Sequence, residues 1–234
     1  MEGAVGRMRY LLNDSFPELK LWRYEGHKAR NAELTTARDG SPVACDIEAA
    51  VGPYGDDVCY AFDGSTSYVN IYTANFSGAF NGAEGSFAIW AKVSAAGVWT
   101  DGASRNIMTL LADANNFARA NKRVGADSVQ FSRSGNATGN TVNLALSTTS
   151  WFHIALTWSE ASGADGQLKA YHNGSQTGAT QTALGTWAGA LFTTATVIGA
   201  AITAPATVWS GYLAHAAIWT TPLTAAQILA LATV

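Results

Sequence analysis

The sequence predicts an all-β fold, a sandwich or barrel of antiparallel strands, with one short helix near the C-terminus. Apolar and polar residues alternate along several segments, so each segment has one apolar face, as a strand in a sheet covered on one side requires. Gly, Asn and Ser residues that favour turns separate these segments. A third observation is the pair Asn173-Gly174, because Asn-Gly is typical of the tight turn of a β-hairpin.

The predicted strands begin near residue 58 and continue almost to the C-terminus. They lie at residues 58–63, 68–72, 87–93, 151–158, 169–172, 197–199 and 212–219. Two of them have well-marked apolar faces, formed by Phe87, Ile89, Ala91 and Val93 in one strand and by Phe152, Ile154, Leu156 and Trp158 in the other.

The helix is predicted from its start signal. Thr221 can cap it, and Pro222 fits the first helical position, where a missing N–H removes no hydrogen bond. Residues 223–229 continue with good helix formers.

The composition excludes several classes of protein. Of the 234 residues 13% are charged, about half the usual share, and residues 170–234 contain no Asp, Glu, Lys or Arg. The hydrophobic share of 48% argues against disorder, and the net charge of -3 without a basic stripe argues against nucleic-acid binding. Neither a membrane span nor a signal peptide is predicted, so we expect synthesis in a cytoplasm and no membrane partner.

The two cysteines, Cys45 and Cys59, are too few for a disulfide scaffold. They predict either two buried or half-buried thiols or one bridge that closes a short loop.

A series of motifs falls in a fixed order along the chain. They read FDGSTSYV at 62–69, GSFAIWAK at 85–92, WFHIALTW at 151–158, LKAYHNG at 168–174, TVIG at 196–199, WSGYLAHAAIW at 209–219 and TPLTAAQI at 221–228. In this order they resemble the motifs of laminin-G-like, concanavalin-A-like domains, and residues 16–22 resemble the first strand of that family. The resemblance covers about residues 16–232 and implies a two-sheet antiparallel jelly roll with one short C-terminal helix.

The resemblance also implies the domain organisation. Residues 1–15 form an N-terminal arm, and residues 16–234 form a single jelly-roll domain, with the first strand near 16–22 and a variable, charged segment at 23–57. Five large residues are natural anchors of its core, namely Trp90, Phe152, Leu156, Trp158 and Trp219.

We expect no enzymatic activity. Glycoside hydrolysis needs two carboxylates a short distance apart, and glucanases of this fold family carry them at alternate positions of one strand. That spacing is missing here, since Glu84 and Glu160 are isolated. The four histidines, His27, His153, His172 and His215, have no Gly-x-Ser-x-Gly partner for nucleophilic catalysis.

Binding of a glycan is the alternative that the sequence leaves open. Exposed aromatic rings in loops, with polar groups nearby, stack on sugars. Trp99 beside Asp101, and Trp187, are the candidates, and Trp209 also lies in a turn-like place. The resemblance implies calcium as a further ligand, but the loop carboxylates Asp101, Asp113, Asp127 and Asp165 form no cluster in sequence, so no metal ligand and no cofactor is predicted.

Domains of this family without a signal peptide resemble structural proteins of tailed bacteriophages. The leading hypothesis is therefore a virion-surface protein, a capsid decoration or tail component. Its arm, with Arg7, Arg9, Tyr10 and Leu11, would attach it to other virion proteins. The second hypothesis is a lectin-type module for host or environmental glycans. A homo-oligomer is compatible with both.

Overall fold

The computed structural model describes residues 22–25, 28–30, 41–48, 52–54 and 59–233. The arm predicted at 1–15, with Arg7, Arg9, Tyr10 and Leu11, lies outside the described residues, as do residues 16–21 of the predicted first strand. Among the described helices, none has the length and apolar character needed to span a membrane.

The described residues form sixteen strands and three short helices. The strands are β1 (Trp22–Glu25), β2 (Lys28–Arg30), β3 (Ser41–Val43), β4 (Asp46–Glu48), β5 (Cys59–Asp63), β6 (Tyr68–Asn70), β7 (Glu84–Val93), β8 (Arg105–Asp113), β9 (Asn116–Lys122), β10 (Ser128–Gly135), β11 (Thr138–Ala145), β12 (Phe152–Ser159), β13 (Gln167–His172), β14 (Ser175–Gln181), β15 (Thr196–Ile198) and β16 (Ser210–Trp219). The helices are α1 (Ala74–Ala79), α2 (Gly97–Thr100) and α3 (Ala225–Leu231). The predicted all-β, two-sheet antiparallel sandwich is confirmed, and α1 and α2 were not predicted.

Nine of the described strands form the large sheet, in the order β14-β13-β12-β7-β16. On its other edge β16 pairs with two strands, with β5 from Ser210 to Leu213 and with β1 near Ile218. A bulge between Ala214 and Ala217 separates the two halves, and His215 in the bulge has a φ of +49°. The bulge redirects the strand, which allows one strand to serve two neighbours. Strands β4 and β2 extend β5 and β1.

Seven described strands form the small sheet, in the order β11-β10-β9-β8-β15-β6-β3. The two sheets bury their apolar faces against each other, and the predicted inward faces of β7 and β12 are confirmed, because all eight of their residues belong to the core between the sheets. Phe152, Leu156 and Trp158 anchor this core as predicted.

The other two predicted anchors, Trp90 and Trp219, are buried on the outward face of the large sheet. Trp90 packs with Cys59 and Ala214, and Trp219 packs beneath α3. The reason is the alternation of the strand: their neighbours Ile89 and Ile218 face the core.

Helix α3 begins three residues later than predicted, because its cap is Thr224 rather than Thr221. The Thr224 hydroxyl accepts from the backbone N–H of Gln227 at 3.3 Å, and the Gln227 side chain accepts from the Thr224 N–H at 2.9 Å. This reciprocal capping box stabilises the helix start. The N–H of Leu223 instead donates to Ser86 Oγ at 2.8 Å, which holds the chain extended along the sheet up to that point.

Both cysteines are free thiols, which confirms the first of the two alternatives. Cys59 is buried, and Cys45 is half-buried and donates to the carbonyl of Val43 at 3.3 Å. Burial raises the pKa of the Cys45 thiol to about 12, so the thiolate is disfavoured.

Candidate functional site

The outward face of the small sheet is polar where β9 and β10 run side by side. On β9, Ala118 and Ala120 belong to the core between the sheets. Because side chains alternate along a strand, Phe117, Arg119 and Asn121 lie on the opposite, outward face.

The neighbouring strand β10 has the same alternation of inward core residues and outward polar residues. Its core residues are Val129 and Phe131, so Ser128, Gln130 and Ser132 lie on the outward face. On both strands the inner face is therefore apolar and packs in the core, and the outer face carries groups that form hydrogen bonds.

A groove with a volume of about 370 Å³ lies over this face. One wall is the loop between β15 and β16, and the other is the turn between β9 and β10. Its lining residues are Ser104, Asn106, Arg119, Asn121, Arg123, Val124, Gln130, Ala201 and Thr207. They comprise hydroxyls, amides and two guanidinium groups, with Val124, 61% exposed, as an apolar side chain at the turn.

Hydrogen bonds fix the groove wall to the sheet floor. The Thr207 hydroxyl donates to Asn106 Oδ1 at 3.2 Å, and Asn106 Nδ2 donates to Thr109 Oγ1 at 2.8 Å. The backbone N–H of Asn106 also donates to the Thr207 carbonyl at 2.7 Å. Thr207 has a φ of +51°, a strained conformation for a β-branched residue. The wall is therefore held in place before any ligand arrives.

Three buried polar atoms on this face have no hydrogen-bond partner among the described residues. They are Arg119 Nε, Asn121 Oδ1 and Ser128 Oγ. A buried polar atom without a partner costs about 1–3 kcal/mol. Arg119 and Asn121 line the groove and Ser128 lies on the same face outside the lining, so this face is a site where a polar ligand gains hydrogen bonds.

Arg119 is the charged group of the groove floor. Its guanidinium lies 4.5 Å from the centroid of the Phe117 ring, a cation–π contact. Burial lowers the pKa of the Arg119 guanidinium, and no described carboxylate lies within ion-pair distance of it. Arg119 is thus a cation without a counter-charge in the described part of the chain.

The structure corrects the predicted role of Trp99 and Asp101. Trp99 is 1% exposed, donates from its indole Nε1 to the Thr148 carbonyl at 2.9 Å, and packs against Phe152. Its ring is therefore not available to stack on a sugar. Trp209, also buried, is excluded for the same reason.

The Asp101 carboxylate is part of the scaffold beside the groove. It accepts from the fully buried Lys122 Nζ at 2.7 Å and from Arg105 Nε at 2.7 Å. Desolvation alone would raise the pKa of Asp101, but hydrogen bonds from Lys122, the Ala103 N–H and Arg105 outweigh it and lower the pKa. With both oxygens bound to cationic groups, Asp101 is a poor ligand for either a sugar or a calcium ion.

Trp187, the third predicted residue, is half-buried at the other end of the sandwich. Its ring lies against Gly82 and 5.5 Å from Phe80, and its indole Nε1 donates to the Gly189 carbonyl at 3.1 Å. Its backbone N–H donates to Glu160 at 2.6 Å.

The predicted aromatic residues do not converge. Trp99 contacts Phe152 at the start of β12, whereas Phe80, beside Trp187, contacts Trp158 near the end of β12. Six residues of extended strand separate these ends, which is about 20 Å. Trp99 and Trp187 therefore do not belong to one site. The prediction that Trp99 stacks on a sugar is wrong because its ring is buried, whereas that for the half-buried Trp187 stays a prediction.

The groove residues Asn106, Arg119 and Asn121 were not predicted. The signal for two of them was the alternation Phe117-Ala118-Arg119-Ala120-Asn121, in which every second residue is a small core residue. Within the described ranges, no group of three or more His, Cys, Asp or Glu residues is placed to hold a metal ion, and the groove lining contains no carboxylate for general acid or base chemistry. The arrangement is suited to binding.

Two stacked antiparallel sheets with a polar groove on one outward face define a lectin-like sandwich. The chain belongs to the concanavalin A-like lectin/glucanases superfamily, whose family model matches residues 63–229. None of the curated proteins gives a significant match.

Solved structures share the fold at low sequence identity. The botulinum neurotoxin serotype D ligand binding domain, solved in complex with N-acetylneuraminic acid, aligns with a TM-score of 0.64 at 14% identity and covers 93% of this chain and 51% of that chain. The chain thus spans about half the length of the neurotoxin domains that it matches. Domain 4 of AbnA, a GH43 extracellular arabinanase from Geobacillus stearothermophilus in complex with arabinotriose, aligns with a TM-score of 0.58 at 17% identity, covering 84% of this chain and 93% of that one.

Proposed function

We propose that this chain is a carbohydrate-binding domain and that its ligand lies in the groove on the outward face of the small sheet. The cluster of unpartnered atoms Arg119 Nε, Asn121 Oδ1 and Ser128 Oγ is the observation that carries the proposal. Sugar hydroxyls both donate and accept, so one saccharide unit can satisfy an N–H donor, a carbonyl acceptor and a hydroxyl together.

The character of the groove supports binding rather than turnover. Amides, hydroxyls and two guanidinium groups line it, and none of the described lining residues is a carboxylate or histidine. The similar structures named above include one domain in complex with N-acetylneuraminic acid and one in complex with arabinotriose, so sandwiches of this shape do bind saccharides.

A glycan array followed by titration calorimetry tests the proposal. Wild-type protein binds at least one oligosaccharide, and Asn121→Ala weakens binding to it by about tenfold or more, the equivalent of one hydrogen bond in a desolvated site. The matched control is Asn115→Ala, an exposed asparagine in the turn between β8 and β9, which leaves affinity unchanged. Blank arrays with folded protein, or equal losses for both variants, would contradict the proposal.

The setting on a virus particle stays a prediction from the sequence. It depends on residues 1–15, which lie outside the described residues. We propose that the two roles are compatible, since a decoration or tail protein that binds glycans attaches a particle to a surface. Changing Arg7, Arg9, Tyr10 and Leu11 together to serine tests it: incorporation into particles is lost while glycan binding is kept. Unchanged incorporation would argue against an anchoring arm.

A further inference from the structure

We propose that the groove selects glycans with an anionic group, a sugar carboxylate or a sulfate ester, and that Arg119 binds this group. The inference rests on the glycan-binding function proposed above and adds the chemical class of its ligand. It follows from the charges around the groove and from the position of one guanidinium group.

Arg119 is a cation that the described protein leaves without a counter-charge. Its Nε is buried and has no hydrogen-bond partner among the described residues, and its guanidinium is partly desolvated. A desolvated charge is unfavourable unless it is paired, so an anion in the groove would recover a cost that the folded chain already bears. A neutral ligand would recover only part of it.

The neighbouring charges leave the groove positive. Arg123 is a second guanidinium in its lining, and no lining residue is acidic. Asp127, an exposed carboxylate in the β9–β10 turn, offsets one of these two guanidinium charges and leaves the other in excess. Beside the groove, the Asp101 carboxylate is bound to both Lys122 and Arg105. That three-residue network has one positive charge in excess, so it does not attract cations to the groove or cancel the charge of Arg119.

The geometry favours an anionic group that presents two oxygens to one edge of the guanidinium and that belongs to a sugar. The Phe117 ring covers one face of the Arg119 guanidinium at 4.5 Å, so the edges of this planar fork remain for hydrogen bonding. Beside it, Asn121 is 8% exposed and its Oδ1 has no donor among the described residues. An acceptor next to the cation favours a ligand with a hydroxyl close to its anionic group, which an acidic sugar has and an inorganic sulfate ion lacks.

The experiment is an array of neutral, carboxylated and sulfated glycans, probed with wild-type protein and with Arg119→Gln, which keeps a polar side chain without the charge. We expect wild-type protein to prefer anionic glycans, with affinity that falls as salt is raised. Calorimetry on the best anionic ligand and on its neutral parent glycan measures the effect. Arg119→Gln weakens the anionic ligand about 10- to 100-fold, as loss of a charge-assisted hydrogen bond predicts, and weakens the neutral parent much less.

Lys169→Gln is the matched control, because it removes a cation from β13 on the large sheet and leaves binding unchanged. The carboxylated and sulfated arms of the array show which source of the anion the groove prefers. If neutral glycans bind as well as their anionic counterparts and Asn121→Ala still abolishes binding, anion selection is wrong while glycan binding stands. If no glycan binds to folded wild-type protein, the proposed function itself fails.

Discussion

The outward faces of the two sheets differ in what lies over them. On the large sheet the central residues are alanines, Ala88, Ala155 and Ala217, and α3 packs on them through Ile228 and Leu231. On the small sheet the outward residues of β9 and β10 are polar, and no described segment covers the groove above them. One face is closed by the chain itself, and the other is open to a ligand.

Both faces contain buried polar atoms without partners, but the consequences differ. On the closed face these atoms, which have no partner among the described residues, are Trp90 Nε1 and His153 Nδ1, buried among side chains. On the open face two of them, on Arg119 and Asn121, line the groove, and the third, on Ser128, lies on the same face of β10. A buried polar atom without a partner therefore has different consequences on the two faces. On the closed face it makes stability depend on pH, and beside the groove it contributes to affinity for a ligand.

Weakening the packing of α3 on the closed face should give the largest loss of stability. Ile228 is 0% exposed in the α3 cluster, so Ile228→Ala loses buried area and leaves a cavity. We expect the free energy of unfolding to fall by about 2–5 kcal/mol, measured by urea denaturation. Leu229→Ala on the same helix, at a residue that is 54% exposed, should cost less than about 1 kcal/mol. Equal costs would mean that α3 does not seal this face.

The attachment of the cover to the sheet gives the second effect. Ser86 Oγ donates to the Thr221 carbonyl at 2.9 Å and accepts from the Leu223 N–H at 2.8 Å, just before α3. Ser86→Ala leaves that buried N–H without a partner, so we expect a loss of about 1–3 kcal/mol in the free energy of unfolding. Ser86→Thr, which keeps the hydroxyl, is the control and should lose less than the alanine variant.

These contacts show why the sequence predicted the sandwich well and the start of α3 less well. The inward faces of β7 and β12 were predicted from the local alternation of residues along the strand, which is expected where one face of a strand is buried. The cap at Thr224 depends on Ser86, which lies 137 residues before Leu223 in sequence and holds Leu223 on the sheet. Thr221 and Pro222 are residue types typical of a helix start. The hydrogen bond between Leu223 and Ser86 shifts the start of α3 to the cap at Thr224.

Acid should weaken the closed face in particular. His153 is buried against Trp90 and near two further histidines. Desolvation, and to a smaller extent the charges of His172 and His215, lower its pKa from 6.5 to about 3. Between these values the unfolded chain binds a proton that the folded chain does not, so stability falls as the pH decreases through this window.

We expect this group to contribute a slope of about 1.4 kcal/mol per pH unit to the free energy of unfolding. Urea denaturation from pH 7 to pH 4 measures it, with His153→Gln as the comparison, because every other titrating group is shared by both proteins. The slope should be shallower in the variant. The same slope in both would mean that His153 is protonated in the folded state.

The open face was the part that sequence reasoning missed. Strands β8 to β11 were not predicted. Bulges at Asn106/Met108 and Leu111/Asp113 interrupt the alternation of β8, whereas the alternation of β9 was present in the sequence and was overlooked. The groove itself is a tertiary feature, since Asn106 and Thr207 are 101 residues apart in sequence. The aromatic residues chosen instead, Trp99 and Trp209, have their indole N–H groups bound to backbone carbonyls inside the sandwich. Residue type alone does not show which rings are buried.

The smallest effect on the free energy of unfolding is expected on the open face, where a substitution should leave stability unchanged or increase it slightly. The hydroxyl of Ser128 is buried without a partner among the described residues, whereas that of Ser86 makes two hydrogen bonds. Ser128→Ala removes a desolvated group that contributes nothing to the folded state, so the free energy of unfolding should stay within about 0.5 kcal/mol or rise slightly.

Affinity for the glycan identified on the array should fall in the same variant, because the ligand loses a partner. The pair Ser86→Ala and Ser128→Ala thus separates the two faces with one chemical change. Loss of stability without loss of affinity identifies a polar group that attaches α3 to the large sheet. Loss of affinity without loss of stability identifies a polar group that binds the ligand. If Ser128→Ala unfolds as easily as Ser86→Ala, the open face is held together by its polar groups, and the groove has a structural role instead.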